Sequence, residues 1–216
     1  MLTTLASISE GSCIIAGHDA AKKPDDVRRS IGFVPQDTTV DGDLKGMENL
    51  LLTAKLYHVS DDLAKRRINE LLDLVGLREA ASRFVKTYSG GMKKRLELIA
   101  GLLHQPSILF LDEPTQGLDI QSRSAMWDYI RRINKEKNMT IFLTTHYLEE
   151  ADSLCDRVAI IDNGSIKALA PPSKLKSEFG SDILEIEVAQ GPSLIKFFES
   201  ISGVKEVTRS NNKYRI

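Results

Sequence analysis

Five residues, Ser107-Ile108-Leu109-Phe110-Leu111, form a continuous apolar run closed by two acids, Asp112-Glu113. Such a run marks a strand buried on both faces, which is the situation of a strand inside a parallel sheet. Its flanks agree. Met92, Leu96, Ile99 and Leu103 recur at helical spacing before it, stopped by Pro106. After it come a helix around Arg123 to Lys137, a strand Thr140 to Thr145, a short helix Tyr147 to Leu154 and a strand Val158 to Asp162. This alternation predicts an α/β layered domain with parallel strands.

The remaining elements follow from the same signals. Ser12 to Ala16 reads as a strand closed by Gly17-His18-Asp19, Pro24 to Ser30 as a short charged helix, and Ile31 to Val34 as a strand ended by Pro35. Met47, Leu50, Leu51 and Ala54 give one helix; Ile68, Leu71, Leu72 and Val75 give another between a Ser60 cap and Gly76. Asn163-Gly164 is a hairpin turn returning through Ser165 to Ala170. Pro171-Pro172 marks a boundary. Beyond it, Ile183 to Val188, Ser193 to Ser202 and Val204 to Arg209 read as strand, helix and strand, the opening of a small second domain. The expected organisation is a domain over 1–172 and a partial one over 181–216. Met1 to Leu5 reads like the inside of a helix, and Lys213 to Ile216, after Asn211-Asn212, like the start of a strand. Either these are frayed termini or the chain is cut inside two elements.

Composition narrows the function. With 29 Lys+Arg against 30 Asp+Glu, the net charge of −1 gives no bulk electrostatic attraction to nucleic acid. Cys13 and Cys155 make neither a disulfide framework nor a zinc pattern. No apolar run approaches the roughly 18 residues of a membrane span, and Met1 to Glu10 lacks a secretory pattern. The expectation is a cytoplasmic protein that binds no nucleic acid.

The chemistry gathers around the acid pair. Carboxylates at the carboxyl end of a parallel strand lie where ligands bind such sheets. Asp112 can hold Mg²⁺ through water, and Glu113 can orient or deprotonate an attacking water; the alternative is a strand ending at a solvated turn. In Tyr88-Ser89-Gly90-Gly91-Met92, Ser89 is a good N-cap and the two glycines expose backbone N–H groups to an anion. Those glycines cost about 1–2 kcal/mol of helix propensity, which close approach of a phosphate explains and a plain helix start does not. Gly117-Leu118-Asp119 follows the acids. His146 follows a strand, where it can hydrogen-bond a phosphate oxygen and a positioned water. Gln36, after Ile31 to Pro35, can reach Mg²⁺ or water.

Together, in this order, the set resembles the nucleotide-binding domain of ATP-binding-cassette (ABC) transporters, from Met1 to about Ala170. Gln36 matches the Q-loop; Ser89-Gly90-Gly91-Met92 the signature motif, with Met where Gln is usual; Asp112 and Glu113 the Walker B pair; Gly117-Leu118-Asp119 the D-loop; and His146 the switch histidine. The stretches Thr87 to Leu96 and Thr144 to Asp152 resemble the daunorubicin-resistance type, which exports drugs or lipid-like molecules. The resemblance implies a P-loop NTPase-like ABC ATPase domain with a helical signature subdomain and the start of a small α+β C-terminal domain. It implies ATP and Mg²⁺ as ligands, with Glu113, His146 and Gln36 catalytic, Ser89, Gly90, Gly91, Met92 and Asp119 on the nucleotide, and Asp112 with Gln36 on the metal. It further implies a membrane-spanning permease partner, a head-to-tail dimer with a second nucleotide-binding domain, and a location on the inner face of the cell membrane. In the family, the region near Gln36 to Tyr57 meets the permease; Leu44, Met47, Leu50 and Leu51 are candidates for that contact or for the core.

One departure matters. A P-loop needs G-x-x-x-x-G-K-[ST], and the sequence contains no Gly-Lys pair. In the family, a stretch like Met1 to Leu5 follows the P-loop, so the P-loop is expected upstream of Met1. The chain by itself is then expected to be poorly soluble and to hydrolyse no ATP. Two other classes compete. A soluble ABC protein of translation or DNA repair would show a repeat or sustained heptads, and neither is present. A non-catalytic remnant or half-site could lend its signature to an intact partner.

Overall fold

The computed structural model describes residues 1–179, 185–188, 193–204, 207–210 and 213–215. It divides into two compact units, Met1–Leu154 and Cys155–Ile216. This division falls ahead of the boundary expected at Pro171-Pro172. The strand Val158–Asp162 pairs antiparallel with Ser165–Ala170, and this hairpin lies within the second unit.

The first unit begins with a small hairpin, β1 (Ile14–Ile15) against β2 (His18–Asp19). Helix α1 (Pro24–Ser30) has Pro at its start, Asp25 and Asp26 in its first turn and Arg28 and Arg29 in its last, all suited to the helix dipole. Then come β3 (Ile31–Val34), α2 (Gly46–Leu56), α3 (Asp61–Leu74), a 3₁₀ turn at Val85–Thr87, α4 (Gly90–Ala100), β4 (Ile108–Asp112), α5 (Ile120–Lys137), β5 (Thr140–Thr144) and α6 (Leu148–Leu154). Helix α5 ends at Asn138 in the left-handed conformation (φ 47°), one of the few non-glycine residues that tolerate it.

Strands β3, β4 and β5 form one parallel sheet in that order, Val34 opposite Leu111 and Asp112 opposite Thr144. The α/β reading of the sequence holds. Alternation along β4 sends Leu109 and Leu111 into the larger core, with Leu50, Ile68, Leu72, Leu96, Ile99, Ile130 and Ile133. Phe110 goes to the other face, with Ala20, Val27 and Ile31. Each buried Leu, Ile, Val or Phe among these contributes about 1.5–3 kcal/mol through burial. Gly32 in β3 lies so close to α4 that a Cβ there would sit 2.3 Å from the Gly101 carbonyl oxygen.

Of the four apolar residues considered for partner contact, Leu50 is fully buried, and Met47 and Leu51 pack against the core. Leu44 is half-buried, and the outward apolar residues of α2 are Leu52 and Leu56. Met1 to Leu5 forms no helix. Thr4 N–H donates to the Met1 carbonyl at 3.0 Å and Thr4 has φ 62°, a turn.

The second unit holds β6 (Val158–Asp162), β7 (Ser165–Ala170), α7 (Pro172–Phe179), β8 (Glu185–Glu187), α8 (Ile195–Glu199), β9 (Thr208–Ser210) and β10 (Lys213–Arg215). Asn163 and Gly164 both have positive φ (49° and 73°), as the β6–β7 hairpin turn requires. Strands β8, β10 and β9 form an antiparallel sheet in that order. The expected strands starting at Ile183 and Val204 are only partly covered, since 183–184 and 205–206 lie outside the described residues, as do the Asn211-Asn212 turn signal and Ile216.

His104, just after α4, accounts for part of the pH response of the fold. Its ring stacks on Tyr57 at 3.8 Å, and Nε2, donating in the neutral form, lies 2.8 Å from the Ile31 carbonyl oxygen. Burial, with a smaller effect of Arg67, depresses its pKa below the ordinary 6.5, the Ile31 bond opposing. The unfolded chain therefore takes up the proton first. The stability His104 contributes is complete above its unfolded pKa and falls as pH drops from 6.5 toward the depressed value. Urea titrations across pH 5–7 should show this slope, and His104→Gln should flatten it.

Candidate functional site

Because β3, β4 and β5 are parallel neighbours, their carboxyl ends share one edge. Gln36 lies two residues past β3, Asp112 ends β4 with Glu113 next, and His146 lies two residues past β5. Register explains the fine geometry. Thr144, opposite Asp112, donates from Oγ1 to Asp112 Oδ1 at 2.5 Å. The Glu113 N–H reaches the Thr144 carbonyl and hydroxyl oxygens, each at 3.2 Å. Glu113 itself has φ 49°, a left-handed conformation that is rare and strained for a residue with a side chain.

His146 Nδ1 stands 2.8 Å from Glu113 Oε2, a contact without hydrogen-bond alignment that leaves this buried carboxylate oxygen with no hydrogen-bond partner. The histidine ring is half-exposed and rests 4.1 Å from the Tyr147 ring, whose face carries the Arg123 guanidinium at 4.3 Å. Gln36 Nε2 donates to Gln116 Oε1 at 2.6 Å, which ties the segment after β3 to the turn after Glu113. A second tie lies below. Glu150 on α6 is fully buried, and its Oε1 accepts from Thr115 Oγ1 and Trp127 Nε1, each at 2.9 Å.

The sheet edge thus brings Gln36, Asp112, Glu113 and His146 together. Ser89 and its neighbours form a separate feature. Ser89 caps α4, its Oγ accepting from the Met92 N–H at 3.3 Å. Gly90 faces open space, whereas a Cβ on Gly91 would lie 3.1 Å from Ser122 Oγ, so this helix start rests on the start of α5. There Asp119 is the N-cap, accepting from the Ser122 N–H and hydroxyl at 2.8 Å each, and these bonds hold its carboxyl below the ordinary carboxylate range. Among the described residues no hydrogen bond or ion pair joins Ser89, Met92 or Asp119 to the acid pair.

Sequence reasoning missed Thr144, Gln116 and Glu150. Thr144 had a signal, since a threonine aligned with the last residue of β4 in parallel register can reach its carboxylate; the other two had none. Among the described residues no group of three or more His, Cys, Asp or Glu could hold a metal ion by itself. Asp112 offers one carboxylate, which fits an ion such as Mg²⁺ that completes its shell with phosphate and water oxygens. A cavity of about 510 Å³ lined by Arg67, Leu74, Leu102, Ile133 and Met139 lies elsewhere and includes none of these residues. Among the described residues no helix is long and apolar enough to cross a membrane.

Comparison with known proteins agrees with this geometry. The family described as "ABC transporter" matches residues 1–116. The chain is 43% identical over 193 residues to the daunorubicin/doxorubicin resistance ATP-binding protein DrrA of Streptomyces peucetius, covering 89% of this chain and 58% of that protein. It is 36% identical over 210 residues to the linearmycin resistance ATP-binding protein LnrL of Bacillus subtilis (strain 168), covering 96% and 67%. It therefore spans a little under three fifths of the DrrA length. Among solved structures, one described as the ATP binding subunit of an ABC transporter superposes with a TM-score of 0.70 at 30% identity, over 83% of this chain and 74% of the other. From the shared sheet edge, the matching family and these relatives together, the chain belongs to the ABC transporter family, of the type that includes the daunorubicin-resistance ATP-binding proteins.

Proposed function

We propose that this chain is the ATP-hydrolysing part of an ABC exporter, acting on the inner face of the cell membrane with a membrane-spanning permease and in a head-to-tail dimer with a second nucleotide-binding domain. The observation that carries the reading is the buried Glu113 oxygen, free of hydrogen bonds and 2.8 Å from His146, at an edge shared with Asp112 and Gln36. In this reading Glu113 orients and deprotonates the attacking water. His146 hydrogen-bonds the γ-phosphate and restrains the carboxylate. Gln36, steadied by Gln116, reaches the water or the metal. Asp112, oriented by Thr144, would hold Mg²⁺, whose charge would neutralise the phosphate oxygens. Ser89, Gly90, Gly91, Met92 and Asp119 serve the nucleotide across the dimer. A drug or a lipid-like molecule is the proposed cargo, by likeness to DrrA and LnrL.

The 216 residues contain no G-x-x-x-x-G-K-[ST], so by themselves they have no amide cradle for the triphosphate. Expressed alone, they should hydrolyse no ATP above background. Mg-ATPase activity that Glu113→Gln removes would overturn this expectation.

The open space at Gly90 favours a second reading, in which the start of α4 completes the site of an intact partner. Mixed with that partner, the chain should then change its activity, and Ser89→Arg should cancel the change. An unaltered mixture would end this reading.

A further inference from the structure

Helix α4 carries two charged residues, Lys94 and Glu97, three positions apart and only 9% and 3% exposed. Besides pairing with each other along α4, both reach backbone atoms outside any helix. Lys94 Nζ donates to the Gln36 carbonyl oxygen at 2.5 Å and to that of Pro35 at 3.3 Å. Glu97 Oε1 accepts from the Thr39 N–H at 2.7 Å. The two side chains lie 3.6 Å apart, Nζ to Oε2. They therefore grip the segment after β3 at two carbonyls and one amide, on either side of Asp37 and Thr38.

Burying two charges is expensive, and an apolar pair of the same volume packs a helix against a loop at lower cost. What the charged pair adds is direction: each bond fixes a named backbone atom. The same helix begins at its Ser89 cap, less than two turns before Lys94.

We propose that Lys94 and Glu97 are positioning residues that clamp the Gln36 segment to α4, so that any displacement of the Ser89-Gly90-Gly91 end is passed to Gln36 at the sheet edge. The proposal rests on the reading of Gln36 as part of an ATP site. It differs from a packing role because it makes the effect of Lys94 depend on Gln36.

Two measurements test it. In the first, amide hydrogen exchange is followed at Thr39. Lys94→Met and Glu97→Gln should each speed exchange there by about tenfold or more, with Lys94→Arg close to the parent. Unchanged exchange at Thr39 in both variants would overturn the clamp. In the second, ATP turnover is measured in the assembled transporter, with the chain extended to carry the G-x-x-x-x-G-K-[ST] segment that the 216 residues lack. Lys94→Met should lower kcat by roughly ten- to a hundredfold, with KM within about twofold, and Lys94→Arg should restore most of it. Lys94→Met combined with Gln36→Ala should be no slower than Gln36→Ala alone. If the two effects multiply instead, Lys94 does not act through Gln36 and the proposal fails. Failure of the ATP-site reading is distinguishable: Glu113→Gln would then leave turnover intact, while the Thr39 exchange would still decide for or against the clamp.

Discussion

Glu113→Gln is expected to abolish ATP hydrolysis in an assembled transporter whose chain carries the G-x-x-x-x-G-K-[ST] segment that these 216 residues lack, and to leave nucleotide binding in place. The expected loss in kcat is about two to four orders of magnitude, the range a positioned general base supplies. Glutamine matches glutamate in shape, so it disturbs neither the φ of 49° nor the N–H contacts to Thr144. What changes is the oxygen facing His146, which can no longer receive a proton. The variant should therefore accumulate a state with ATP bound and unhydrolysed, seen as retention of labelled ATP with little labelled phosphate released. Turnover within about threefold of the parent would remove Glu113 from the chemistry, and with it the proposed mechanism.

Gly32→Ala is the corresponding blow to the fold. The added methyl would lie 2.3 Å from the Gly101 carbonyl oxygen and 2.8 Å from a Leu109 methyl. The first of these is backbone, which no rotamer change can move aside. Overpacking of a core ordinarily costs about 1–3 kcal/mol, and a clash of backbone with backbone belongs at or above the top of that range. Urea denaturation should register a loss of about 3 kcal/mol or more, or no folded protein. The equivalent change at Gly90, where nothing lies within 4 Å, should cost only the ordinary adjustment of a helix start and serves as the control. A Gly32→Ala protein as stable as its parent would mean that β3 and α4 separate more easily than their contact implies.

Much of this architecture was legible in the sequence because it follows from local rules. Pro24, Pro35 and the Asn163-Gly164 pair punctuate the chain, and α1, β3, β6 and β7 begin and end where those signals put them. The apolar run into Asp112 gave both the central strand and, through the rule for parallel sheets, the edge on which Gln36 and His146 gather. What escaped depends on partners distant in sequence. Lys94 and Glu97 resemble any charged pair on a solvated helix face, and only the loop 58 residues earlier reveals them as buried. Gln116 matters because Gln36, 80 residues away, meets it. Met1 to Leu5 has a helical local pattern and is a turn in the structure.

The left-handed backbone at Glu113 has a consequence for how such a chain tolerates change. Glycine is the residue best suited to that conformation, and a glycine there would relax strain of about 1–2 kcal/mol. The substitution that most relieves the turn after β4 is thus also one that deletes the carboxylate facing His146. Thermal robustness and the proposed turnover would therefore pull this position in opposite directions.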